Sequence, residues 1–223
     1  MPFVREIRRF KPDIVHTYEA DGAVASGRAS FFVPHHNVTT VSSMAVPDFI
    51  PEDVPLLVGT AELAAGQAGR VGDVHLMEPV VDTDFDAPRD ALAARAVLAI
   101  PDDQFVVAVV SRLSEEHHKA RGVVAAIEDL VWRELPVPIT LIVAGAGDEE
   151  DSVYAAARAA EGRNPNLTIR LEGDVADPRD IYAAADITFG MGSSGIRAMS
   201  HAKPLIVQGK DGFCQLLEEH TAD

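Results

Sequence analysis

Residues 187–207 hold the side chains and glycines whose spacing suggests chemistry: an apolar run, a turn with Gly190, Gly192 and Gly195, a helix-length segment and a second apolar run. Glycine lets the backbone approach a bound group closely, and the hydroxyls of Ser193 and Ser194 are placed to cap the N–H groups that open the helix. Unpaired donors and the positive end of the helix dipole both favour a phosphate at such a start. The plainer alternative is an ordinary strand-to-helix turn with glycine for tight packing. Gly190-Met191-Gly192-Ser193-Ser194-Gly195 also matches G-x-G-x-x-G, the turn that cradles a dinucleotide pyrophosphate. That reading expects an acidic residue at the end of the next strand, where Gln208 and Gly209 stand and Asp211 comes slightly late. A nucleophilic serine elbow is excluded, because Gly192 occupies the central place of G-x-S-x-G.

Other reactive residues are sparse. His16 sits in a short apolar run, where a histidine is more often a satisfied structural group than a proton carrier. The pairs His35-His36 and His117-His118 raise metal binding, but adjacent side chains diverge on a strand and on a helix, so neighbours seldom share one ion. No metal site is expected.

The elements that must position the glycine turn alternate along the chain. Residues 3–10 place Val4, Ile7 and Phe10 on one helical face among Arg5, Arg8 and Arg9, and Pro12 closes that helix. Strands are expected at 14–16, 38–41 and 56–58, with helices at 61–68 and 88–98. Beyond residue 100 the pattern sharpens. The β-branched run at 105–110 suits a strand buried on both faces; an exposed charged loop to Arg121 and an amphipathic helix over 123–132 follow. Strands at 139–144 and 167–171, helices near 152–161 and 180–185, and the stretch at 187–207 complete a doubly wound sheet. In such sheets ligands bind at the carboxyl ends of the strands, here the turns at Ser111, Gly145, Gly173 and Gly190.

Composition narrows the class. The 223 residues, 47% apolar, suit one large or two small domains. A net charge of −16 argues against a nucleic-acid partner. No apolar run approaches the roughly 20 residues of a membrane span, Met1-Pro2 does not open a signal peptide, and the single Cys214 has no internal disulfide partner, so a cytoplasmic location is expected.

Six segments in order resemble retaining GT-B glycosyltransferases of the family 4 type. They are Lys11-Pro12-Asp13-Ile14-Val15-His16, the lead into the hinge at 78–85, Ser111-Arg112-Leu113 with Lys119 and Gly122, the Ala144-Gly145-Ala146-Gly147 turn, Gly173-Asp174-Val175 followed by residues 181–186, and residues 190–204. The resemblance implies two Rossmann-type doubly wound domains. An incomplete N-terminal, acceptor-side domain covers 1–88, and a C-terminal nucleotide-sugar domain covers 89–223. It implies transfer of a hexosyl group, with retention, from a UDP- or GDP-sugar to an unknown acceptor, with the donor as substrate and neither cofactor nor metal. Arg112 and Lys119 would grip the diphosphate, with Gly192, Ser193 and Ser194 beside it. Gly145, Gly173, Asp174, Val175, Gly190, Met191 and Arg197 would border the nucleoside or sugar. An isolated cap of the following helix is the other reading of Asp174.

The chain also departs from that pattern. The two glutamates that the family sets eight apart fall at Phe189 and Arg197, and serine stands near residues 41–43 where the family often has a histidine, leaving His16 as the candidate catalytic group. The resemblance begins about a helix late and stops early, so a fragment truncated at both ends is expected. A glycosyltransferase-like module that only binds is the second functional reading, and a dinucleotide-binding protein the third.

Overall fold

The computed structural model describes residues 2–43, 45–115, 118–209 and 212–221. The chain divides into two compact units, Met1–Pro79 and Val80–Asp223.

The first unit runs α1 (Pro2–Phe10), β1 (Ile14–Tyr18), α2 (Glu19–Ser30), β2 (His36–Val41), β3 (Leu56–Val58), α3 (Ala61–Gly66) and β4 (Val74–Leu76). Its four strands are parallel and lie in chain order. The 3.6-residue period sets how α1 packs: Val4 and Ile7 are buried against Ala29, Val15 and Val33, whereas Phe10, expected on the same face, is exposed. Thr60 caps α3 by accepting from the Leu63 N–H at 3.2 Å. Ala20, Ala23, Val41, Ile50, Leu56 and Val58 form the core. Thr17 and Thr39 are register partners, and their hydroxyls meet at 2.8 Å inside it.

The second unit contains α4 (Ala91–Val97), β5 (Phe105–Val110), α5 (Lys119–Trp132), β6 (Ile139–Ala144), α6 (Glu150–Ala160), β7 (Leu167–Gly173), α7 (Arg179–Ala184), β8 (Ile187–Gly190), α8 (Ser193–Ser200), β9 (Leu205–Gln208) and β10 (Cys214–Leu216). The order across the sheet is β10-β9-β8-β5-β6-β7, parallel except for the β10 edge. Alternate strand residues feed two cores. Val109, Leu141 and Val143 pack with α5 and α6; Val106, Ala108 and Ile142 pack with α4 and α7. The sheet is therefore covered on both faces.

Three details differ from the sequence reading. α5 opens at Lys119, earlier than expected, because Ala120 and Val123 enter the core and Gly122 makes room for Gln208. A Cβ at 122 would stand 2.0 Å from the Gln208 amide, which donates to the carbonyls of His118 and Lys119 at 3.0 Å each. α4 starts late because Asp90 is its cap, accepting from the Ala93 N–H at 3.0 Å. β10 has no apolar alternation to announce it; all three of its residues are exposed.

The division between the compact units falls at 79/80. Residues after Pro79 are tied to the second unit by side chains: Arg89 pairs with Asp180 at 2.9 Å, the Arg179 guanidinium lies 3.7 Å over the Phe85 ring, and the Ser200 hydroxyl donates to the Asp86 carbonyl at 2.7 Å.

One buried arginine joins α4 to the sheet. Arg95 donates to the Ala184 carbonyl at 3.1 Å, to the carbonyls of Asp102 and Gln104, and to the Asp186 carboxylate at 2.7 Å. That carboxylate also accepts from the Val106 N–H at 2.7 Å. Removing the guanidinium strands three carbonyls and a carboxylate, so Arg95→Ala should destabilise the second unit by about 2–4 kcal/mol, with Asp186 partly solvated. Urea unfolding of the variant beside wild type measures it; an unchanged midpoint would show that water replaces these bonds.

Candidate functional site

The carboxyl ends of β5, β6 and β7 and the start of α8 surround an open cleft of about 560 Å³. Its walls include Arg112, Gly145, Gly147, Asp174, Val175, Tyr182, Ser193, Ser194 and Arg197. Seven of the residues singled out from the sequence thus converge: Arg112, Gly145, Asp174, Val175, Ser193, Ser194 and Arg197. This is the rim at which a doubly wound sheet offers a ligand site.

Glycine shapes the cleft through contacts inside the chain. A Cβ on Gly145, whose φ is +149°, would lie 1.8 Å from the Ser111 carbonyl oxygen, and one on Gly147 would lie 2.1 Å from that of Leu113. The absent side chains let 144–147 run against 111–113, with the Ser111 N–H donating to Ala144, Leu113 to Ala146 and Glu149 back to Leu113. The Gly145 N–H donates to the Gly173 carbonyl at 2.6 Å, and Gly173 itself turns with φ +65°.

The α8 start differs from the expected cap. Gly192 is the N-cap, with φ 57° and ψ −137°, and no side chain caps the helix. Ser194 instead donates its hydroxyl to the Met191 carbonyl at 2.8 Å, and a Cβ on Gly190 would sit 3.0 Å from that hydroxyl. The opening N–H groups are thus left for a ligand or water rather than satisfied by the serines. Gly190, Met191, Gly192 and Gly173 hold the turns behind the wall and do not line the cleft themselves.

Lys119 does not line the cleft either; it opens α5, and its carbonyl accepts from Gln208. Asp174 is exposed and lines the cleft. It does not cap α7, whose N-cap is Pro178; the carboxylate at that helix start is Asp177, which accepts from the Arg179 N–H at 3.1 Å. The Arg179 guanidinium beside Asp177 holds its carboxyl well below the usual carboxylate range. Phe189, at the place of the family's first glutamate, points into the core shared with α5 and is a packing residue.

Beneath the cleft lies a polar layer that the sequence did not announce. Asp86, 2% exposed, pairs through one carboxylate oxygen with Arg197 Nε at 3.4 Å; the other oxygen is 3.8 Å from His201 Nε2. His201 is buried, stacks on Tyr182 with ring centroids 5.3 Å apart, and has no hydrogen-bond partner at either ring nitrogen among the described residues. The Tyr182 hydroxyl donates to the Ser194 carbonyl at 3.2 Å, and burial pushes its pKa up to about 12. The readable signal was spacing: Arg197 on α8 and His201, the C-cap of that helix, are i and i+4, one above the other.

In the first unit, His16 is exposed, stacks on Tyr18 and meets the Thr40 hydroxyl at 2.8 Å through Nε2. His35 is held by the Ser26 hydroxyl and the Val33 carbonyl. His117 and Asp211 lie outside the described residues. Glu19, unnoticed in the sequence, adopts φ 60° and accepts from the Ser42 N–H at 2.8 Å and the Ser43 hydroxyl at 3.0 Å, tying the ends of β1 and β2 together. Among the described residues no helix is long and apolar enough to cross a membrane. Gln208, at the end of β9 where the dinucleotide reading looks for an acidic residue, donates to the carbonyls of His118 and Lys119.

No protein-family model and no curated protein matches the sequence. Solved structures match in fold. HepE of Anabaena, solved with UDP and glucose, is similar with a TM-score of 0.72 and 16% identity, covering 92% of this chain and 62% of its own. For sucrose-phosphate synthase of Thermosynechococcus elongatus the values are 0.73, 16%, 92% and 58%. For a glycosyltransferase of Rickettsia africae they are 0.66, 16%, 92% and 60%. At such identity the likeness is one of fold: an α/β fold with parallel sheets that matches GT-B glycosyltransferases. The chain spans about three fifths of the length of these structures.

His201 gives the site a pH signature. Burial lowers its pKa below the ordinary 6.5, with Asp86 opposing, so the unfolded chain binds the proton first as pH falls. Wild type should therefore lose stability relative to His201→Asn between about pH 7 and 5, read as diverging denaturation midpoints. Parallel midpoints would contradict this.

Proposed function

We propose that this chain carries the donor-binding part of a glycosyltransferase that moves a sugar, with retention, from a UDP- or GDP-sugar to an acceptor yet to be identified. One observation carries the proposal. Arg112 and the uncapped start of α8 share one cleft at the strand ends, in a fold similar to that of HepE, which was solved with UDP and glucose.

The chemistry follows from the parts. A leaving diphosphate gathers negative charge, and preorganised donors in the cleft stabilise it without reorganising at the moment of bond breaking. A guanidinium offers two parallel N–H donors to phosphate, and a helix start offers backbone N–H groups. Arg112 takes the first role and the turn at Gly192, Ser193 and Ser194 the second. Lys119, as a second cation on the diphosphate, rests on the family resemblance alone. Gly145, Asp174 and Val175 border the nucleoside, Gly173, Gly190 and Met191 shape the turns behind them, and Arg197 lines the same cleft. No metal or cofactor enters this scheme, and the location proposed is cytoplasmic. His16, exposed on β1, is the proposed candidate for a catalytic role.

Arg112→Ala should weaken UDP or GDP binding by about 2–4 kcal/mol, and Lys119→Ala by a similar amount if it reaches the diphosphate. Isothermal calorimetry measures both. Unchanged binding of either nucleotide by both variants would overturn the assignment. NADH fluorescence should not change on titration with the protein, and a transfer assay on the full gene product separates an enzyme from a module that only binds.

A further inference from the structure

Arg197 stands where the resembling family has a glutamate, and the structure shows what holds it there. It lines the same cleft as Arg112, Ser193 and Ser194, one helical turn along α8 from those serines. Its Nε is engaged by Asp86 at 3.4 Å. That leaves the two outer nitrogens of the guanidinium for a bidentate contact. A carboxylate with 2% exposure is a costly group to keep ionised, and Arg197 is the cation that offsets it. The anchor is itself fixed on three sides. The Asp86 N–H donates to the Asp82 carbonyl at 2.8 Å, its carbonyl accepts from Ser200, and His201 closes the far side of the carboxylate. Of the charged groups around His201 only Asp86 favours the protonated ring; burial, with Arg89, Lys203 and Arg179, favours the neutral one.

Resting on the nucleotide-sugar reading, we propose that Arg197 reads the donor's pyrophosphate as a second guanidinium opposite Arg112, and that Asp86 is the positioning residue that aims it. The glutamate of the resembling family accepts hydrogen bonds; an arginine only donates them. A donor-only cation beside a helix start selects oxygen anions, which places its contact on phosphate rather than on the ribose hydroxyls.

A double-mutant cycle tests this by calorimetry with UDP and, in parallel, uridine as probes on wild type, Arg197→Ala, Asp86→Asn and the double variant. The expected result is a loss of about tenfold in UDP affinity for either single variant and no further loss in the double, because Asp86 acts only through Arg197. Uridine affinity should be the same in all four. Additive losses would show that Asp86 supports the cleft as a whole and would overturn the proposal, as would a matching loss for uridine. Should Asp86→Asn not fold, Arg197→Ala alone decides, since its side chain is 44% exposed; unchanged UDP affinity then overturns the proposal. Failure of wild type to bind UDP or GDP at all would overturn the nucleotide-sugar reading itself, whereas binding with an additive cycle overturns only this inference.

Discussion

The cleft depends on two backbones touching. Strands β5 and β6 end side by side, and beyond their ends the chain continues as two loops that stay paired through residues 111–113 and 144–147. A single methyl group on Gly145 or Gly147 would enter the space of a carbonyl oxygen. Parallel strands cannot be joined by a tight hairpin, so their carboxyl ends normally splay into separate loops. Here the glycines keep two of those loops together, and Arg112 is carried on the rim they form.

Charge completes what the backbone begins. The chain is strongly acidic, yet α4, α7 and α8 and the segment leading into α4 carry arginines set against individual carboxylates: Arg89 with Asp180, Arg95 with Asp186, Arg179 with Asp177 and Arg197 with Asp86. Exposed pairs of this kind add little to stability. Arg95 and Asp86 are different, because each is buried and each ties the segment that follows Pro79 to the sheet or to α8. An acidic protein can therefore present guanidinium groups to an anion in one cleft, while its remaining surface repels polyanions.

Much of this architecture was written in local pattern. The β-branched run at 105–110 and the apolar run at 139–144 became β5 and β6 to the residue, since central strands covered on both faces read as near-continuous apolar runs. The glycine turns announced the rim because backbone approach requires them. What stayed hidden was long-range. Asp86 and His201 are far apart in sequence, and neither carries a motif; only folding sets one carboxylate between Arg197 of α8 and that helix's C-cap. The serines of the α8 start looked like caps, but Gly192 takes the cap position and turns Ser194 back on Met191. β10 escaped because an exposed antiparallel edge needs no hydrophobic alternation.

The account stands on a diphosphate lodged between Arg112 and the first turn of α8. A crystal structure of the second unit's cleft with UDP bound tests that most directly. Phosphate oxygens are expected within hydrogen-bond distance of the Arg112 guanidinium and of the backbone N–H groups at Ser193 and Ser194. UDP seated elsewhere on the chain, with those donors facing only solvent, would contradict it.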